Sequence, residues 1–300
     1  MPENKWYEFT PYEIGASWLG KSPVGVSRPT GMYIPSWALG RNFSEGKSTN
    51  RVYEQPLALN LAIFGSAFAL NVGRAFSELS ENHLERFLLR TPLLLVDERR
   101  QIAAAAYKNF TFNMPISEIA NQENMQMVDA GLEFNLPYPP VSGEYGNRKA
   151  DILIFVDASA DQKDKGRALK KSAEYAQSHA LPFPDLDKDE RDPKDENLAR
   201  LPNAQFEERI DTAFRIFMSD NQDAPLVIYI RFARDTRDQA TPHDFVETCF
   251  NDACNTFNFK YLERTARAVI TMMRNNVLLN RGYIMKAILH YQRTKRNGPN

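Results

Sequence analysis

Two cysteines in 300 residues, Cys249 and Cys254, are too few to build a disulfide scaffold, and neither stands in the Cys/His spacing of a metal site. A reducing, cytoplasmic compartment is the expectation. Net charge is equally scarce: 37 Lys and Arg against 38 Asp and Glu leave −1 at pH 7, which gives no basic field for a phosphate backbone and argues against nucleic acid as a partner. No apolar run approaches the roughly 18 residues of a membrane span. Met1-Pro2-Glu3-Asn4-Lys5 has no apolar core of the kind a signal peptide needs, so secretion by that route is not expected either. Histidine is rare, and His83, His179, His243 and His290 are isolated from other ligand types, so no metal is expected and nothing points to a Ser/His/Asp triad.

What remains is ordinary globular composition, 43% hydrophobic and 25% charged, with length enough for one large core or two modest ones. Within it, Met127-Val128-Asp129-Ala130-Gly131-Leu132 sets one carboxylate among apolar neighbours, and Phe134, Leu136, Pro137, Tyr138, Pro139 and Pro140 follow. An ionised carboxylate so placed is costly to desolvate unless donors meet it, which makes Asp129 a candidate acid/base group. Gly131 permits a sharp turn directly after it. The same pattern also fits a plain Asp-x-Gly turn.

Along the chain, residues 20 to 50 are rich in Gly, Pro and Ser and read as long loop. Gly40 to Ser48 nearly spells a phosphate-binding loop, but five residues separate Gly40 from Gly46 where four are needed, so a solvated turn is expected. Leu57, Leu61, Phe64, Phe68, Val72 and Phe76 recur at helical spacing and predict a helix to about residue 76. Ser66 lies inside it, a poor place for a nucleophile, which favours an exposed, strained turn. Residues 77 to 120 read as a lid or cap. Ile152-Leu153-Ile154-Phe155-Val156 and Leu226-Val227-Ile228-Tyr229-Ile230 are short β-branched runs, expected as strands of one sheet buried on both faces, each followed by helix. That alternation predicts an α/β layered fold. A charged loop is expected at about 185–203; Asp185, Asp187, Asp189 and Glu196 match calcium-loop positions, but Glu190 replaces the required Gly and Pro193 interrupts. Two antiparallel helices joined at Asn275-Asn276 close the chain, with a basic tail at Arg293-Thr294-Lys295-Arg296.

The Asp129 to Pro139 segment, with Asn135-Leu136-Pro137-Tyr138-Pro139 inside it, resembles the aspartate segment of the cytosolic phospholipase A₂ family, related to fungal lysophospholipases. Trp6 to Gly15, Phe64-Gly65-Ser66-Ala67-Phe68 and the segment 255–292 are similar to further stretches of that family. The resemblance implies an α/β layered sheet with flanking helices, of the patatin-like type. It also implies hydrolysis of glycerophospholipid and lysophospholipid acyl esters by a Ser/Asp dyad without His, metal or cofactor. Asp129 falls on the dyad aspartate, and Arg148 on an arginine that assists the headgroup phosphate. The family's Gly-x-Ser-Gly-Ser nucleophile segment and its glycine-rich oxyanion loop do not occur in these residues. Residues 1–300 are therefore expected to be the C-terminal part of a single catalytic domain, its N-terminal part missing, cytoplasmic and in transient contact with a membrane surface. The alternative is a non-catalytic lipid-binding remnant of the same fold.

Overall fold

The computed structural model describes residues 5–22, 29–64, 105–127, 129–132, 135–145, 148–159, 166–202, 205–209, 212–249, 253–254 and 260–296. They form two compact units, Met1–Arg148 and Lys149–Asn300.

In the first unit, β1 (Glu8–Phe9), β2 (Glu13–Gly20) and β3 (Thr30–Pro35) form an antiparallel meander in that order. Thr10 closes the first turn: its hydroxyl accepts from the Glu13 amide at 2.9 Å, and its own amide donates to the Glu13 carbonyl at 2.9 Å. Gly15 is required by strand spacing, since a Cβ there would lie 2.1 Å from the Met32 carbonyl oxygen. β4 (Phe43–Ser44) and β5 (Lys47–Ser48) make a small hairpin turned by Glu45 and Gly46, at φ 52° and 78°. Two consecutive left-handed residues suit a tight hairpin, so the phosphate-loop lookalike is a turn. α1 spans Leu57–Phe64; the expected continuation to residue 76, with Ser66, lies outside the described residues, as does His83.

β6 (Ala105–Lys108) pairs antiparallel with β7 (Asn124–Met127). Alternation along β7 sends Met125 and Met127 into a core with Ile14, Ala16, Leu19, Leu39, Tyr107 and Phe110. Buried Asn109 ties the connection between the two strands. Its Nδ2 donates to the Ile119 and Gln122 carbonyls, while its Oδ1 accepts from the Thr111 amide and hydroxyl.

The second unit is built on a four-stranded sheet in the order β8-β11-β10-β9. It comprises β8 (Ile152–Asp157), β9 (Glu190–Arg191), β10 (Phe214–Phe217) and β11 (Leu226–Arg231). β8 and β11 run parallel in the register Leu226↔Ile152 to Arg231↔Asp157, as the two β-branched runs led one to expect; the pairings of β10 are antiparallel. Burial on both faces holds for β11, whose first five residues are all buried, but not for β8. Among the described residues β8 lies at the sheet edge, and Ile154 and Val156 on its outer face are 48% and 55% exposed. α2 (Arg167–Ser178) follows β8 and buries Ala168, Leu169, Ser172 and Ala176 along one stripe. α3 covers Phe245–Thr248, and Cys249 is joined to Cys254 with Cα atoms 4.9 Å apart. A link across so short a segment ties a single turn and is no scaffold.

Two expectations change here. The chain ends in one helix, α4 (Glu263–Arg296, 34 residues), in place of two. Asn276 does not break it, because its side chain caps the end of β11. Its Nδ2 donates to the Arg231 and Ala233 carbonyls at 3.2 and 2.8 Å, and its Oδ1 accepts from the Asp235 amide at 3.3 Å. The expected solvated charged loop at about 185–203 is also folded, over its described residues 185–202. It contributes β9 and buries Leu198 and Glu190, the latter against Arg215 in β10 at 2.6 Å. Sequence showed alternating charges there, and only folding shows that Asp189 and Glu190 are buried and paired, with Arg200 and Arg215.

Candidate active site

Asp129 sits two residues beyond the end of β7, where the strand leaves the core at buried Met127 and turns into a 3-10 turn at Ala130–Leu132. The residue is partly buried, and its carboxylate Oδ1 accepts a solvent-exposed hydrogen bond from the Gly131 amide at 2.7 Å. Among the described residues Oδ2 takes part in no hydrogen bond. One oxygen is thus anchored by backbone and the other is available to receive a proton. The turn is tight: a Cβ on Gly131 would lie 3.0 Å from Asp129 Oδ1 and 3.1 Å from Asn135 Oδ1. Val128 and Phe134, two of the apolar neighbours that singled out Asp129, lie outside the described residues.

The chain then re-enters the core. Leu136 and Tyr138 are buried, and burial pushes the Tyr138 phenol up to about 12. A 3-10 turn at Pro139–Val141 ends where the Ser142 hydroxyl donates to the Pro139 carbonyl at 2.8 Å. The Pro-rich segment is therefore a buried anchor that fixes where Asp129 emerges.

Arg148 adopts a left-handed backbone at φ 62°. Its guanidinium pairs with Glu8 at 3.2 Å and with Glu13, and lies over the Tyr33 ring at 4.4 Å. Burial works against its charge, but Glu13 and Glu8 outweigh that and hold its pKa above the ordinary value. Tyr33 in turn donates to Glu8 at 3.0 Å and shares a 2.8 Å hydrogen bond with buried Ser17. Among the described residues no hydrogen bond or ion pair joins Asp129 to Arg148. Reading the sequence gave no role to Glu8, Glu13 or Tyr33. The available signal was two carboxylates in the otherwise aromatic stretch Trp6 to Gly15.

The calcium-loop lookalike uses its carboxylates internally. Asp185 accepts from the Asp187 amide and from Lys188, Asp187 from the Phe206 amide, and Asp189 from the Asp185 amide and Arg200. Of the histidines, His179 stacks on Tyr175 with ring centroids 4.0 Å apart, and His243 meets Arg234 at 3.3 Å. Among the described residues no three His, Cys, Asp or Glu side chains converge as a metal site, and no helix is long and apolar enough to cross a membrane.

No protein-family model matches the chain. Human cytosolic phospholipase A2 epsilon is 22% identical over 292 aligned positions, covering 77% of this chain and 30% of that protein. The mouse protein of the same name is 21% identical over 290 positions, with the same coverage of 77% and 30%. Among solved structures, human GIVD cytosolic phospholipase A2 superposes with a TM-score of 0.65 at 16% identity, over 98% of this chain and 40% of that one. The same human protein in complex with methyl gamma-linolenyl fluorophosphonate gives a TM-score of 0.60 at 19% identity, over 98% and 38%. The chain spans about 30% of the length of the curated relatives it matches.

Proposed function

We propose, from the homology of this chain to part of the cytosolic phospholipases A2, that residues 1–300 belong to one catalytic domain hydrolysing acyl esters of glycerophospholipids and lysophospholipids. Its mixed α/β structure matches part of that fold. The observation that carries the reading is the Asp129 carboxylate, held by the Gly131 amide through one oxygen, with the other available at the end of a strand. The relative bound to a linolenyl fluorophosphonate supports a substrate with a fatty chain.

In this reading a serine from a Gly-x-Ser-Gly-Ser segment, a pattern not found in these residues, attacks the ester carbonyl while Asp129 Oδ2 takes its proton. The proton then passes to the departing glycerol oxygen, leaving an acyl-serine. Water releases the fatty acid as Asp129 accepts a proton again and returns it to the serine. Arg148 assists the headgroup phosphate, for which its planar fork is suited, by exchanging the partly exposed Glu13 for phosphate. The protein works in the cytoplasm, at the surface of its lipid substrate.

The test is ester hydrolysis. The chain by itself is expected to show no turnover above background. Joined to a segment carrying Gly-x-Ser-Gly-Ser, it gains activity that Asp129→Asn lowers by about 10⁴ or more, since an amide cannot take the serine proton. Equal rates for the joined protein and its Asp129→Asn variant remove Asp129 as the base. Lipid binding without hydrolysis in the joined protein selects the non-catalytic reading.

A further inference from the structure

At the end of β7 remote from Asp129 the chain closes a cavity of about 240 Å³, room for about eight waters at ~30 Å³ each. Its frame is preformed. The Glu45 amide donates to the Phe112 carbonyl at 3.0 Å, and the Asn113 side-chain amide to the Ser44 hydroxyl at 3.2 Å, which fastens the β4–β5 hairpin to the connection between β6 and β7. Lys108 ends β6 and Glu123 stands just before β7, so the ladder sets them side by side, paired at 2.8 Å, and both line the space. Lys108 holds the Glu123 carboxyl below its ordinary value, so the carboxylate is ionised at neutral pH. Asn109 also lines the cavity, but its amide is spent on backbone. Among the described residues the Asn42 side-chain amide makes no hydrogen bond and the Ser44 hydroxyl proton has no acceptor. Phe43 and Phe112 add apolar wall.

We propose that this cavity binds a free α-amino acid with a short apolar side chain. An exposed ion pair is held weakly, and a ligand with both an ammonium and a carboxylate replaces it by two charge-assisted pairs, ammonium to Glu123 and carboxylate to Lys108. A simple anion or cation satisfies one of the two and strands the other. A phosphate monoester brings close to two negative charges against a single lysine, a worse balance. The unused Ser44 proton and Asn42 amide give the carboxylate further donors, and Phe43 and Phe112 cover a hydrocarbon side chain. Volume limits that side chain to the size of valine or leucine, and a glycerol-bearing lipid headgroup exceeds it. The site owes nothing to the Asp129 chemistry, which lies at the other end of the strand.

The experiment is calorimetric and saturation-transfer NMR titration of the full chain with L-valine, isobutyrate and isobutylamine, the last two being valine stripped of its ammonium and of its carboxylate. Saturable binding of L-valine is expected, with each stripped compound at least about tenfold weaker. Lys108→Met and Glu123→Gln each lower the L-valine affinity at least about tenfold. Their side chains are 37% and 65% exposed, so the fold survives either change. Isobutyrate as tight as L-valine overturns the proposal, because the cavity is then a plain anion site. Tighter binding of sn-glycero-3-phosphoethanolamine overturns it as well, as does binding of none of these compounds or an L-valine affinity unchanged in both variants. If a variant folds poorly, the ligand series on the unaltered chain decides the matter.

Discussion

Glu190→Ala should cost more stability than most single changes in this protein. Arg215 is fully buried, and its guanidinium is met by Glu190 through two hydrogen bonds of 3.0 and 2.6 Å and by the Phe206 carbonyl at 3.0 Å. The rings of Phe206 and Phe217 cover it at 4.3 and 4.9 Å. Removing the carboxylate leaves a cation with one carbonyl and two π faces and no route to water. Breaking one side of a buried pair costs about 3–5 kcal/mol. For a folding unit of this size 1 kcal/mol moves Tm by roughly 2–4 °C, so a drop of about 6–20 °C is expected. The assay is thermal and urea unfolding followed by circular dichroism. The double change Glu190→Leu, Arg215→Met should recover most of the loss, because it removes both charges and fills the space with apolar volume. Arg209, the second partner of Glu190 at 3.1 Å, is partly exposed and rehydrates. A loss below about 1 kcal/mol for Glu190→Ala, or a double variant as unstable as the single one, would refute the reasoning.

An acid-side stability limit is expected from Asp235. Burial raises its pKa, but Arg237 and Asn280 outweigh burial and bring it from the ordinary 3.8 down to about 2. A carboxylate with a lowered folded-state pKa contributes stability that is full above about pH 4 and lost as pH falls toward 2. Asp235→Asn should remove a contribution on the order of 2 kcal/mol from that window, seen as a flatter dependence of urea midpoint on pH; an unchanged slope would exclude it. For Arg148→Lys, turnover on phospholipid should fall about tenfold while the fold survives. A point charge persists but the fork does not, and pairs as exposed as those to Glu8 and Glu13 hold about 1 kcal/mol or less. Unchanged turnover would leave Arg148 as a tie between β2 and the end of the first unit.

The parallel pair β8 and β11 was legible because an apolar β-branched run of five residues has few other ways to bury itself. The turn at Asp129 was legible for a similar local reason: Asp-x-Gly encodes its own hydrogen bond, and Gly131 supplies it. Partner choice was not legible. Arg148 meets Glu8 and Glu13 across about 135 residues of sequence, and nothing near Arg148 announces carboxylates on a distant hairpin. Glu190 looked like one charge among many until β9 paired with β10 and set it against Arg215. Asn275-Asn276 looked like a helix break by propensity, yet the carbonyls at the end of β11 gave the Asn276 amide a use within a continuous helix. Periodicity and turn chemistry are properties of neighbours in the chain. Which polar group satisfies which, and which strand face stays open as on β8, depends on neighbours in space, and only the folded chain decides them.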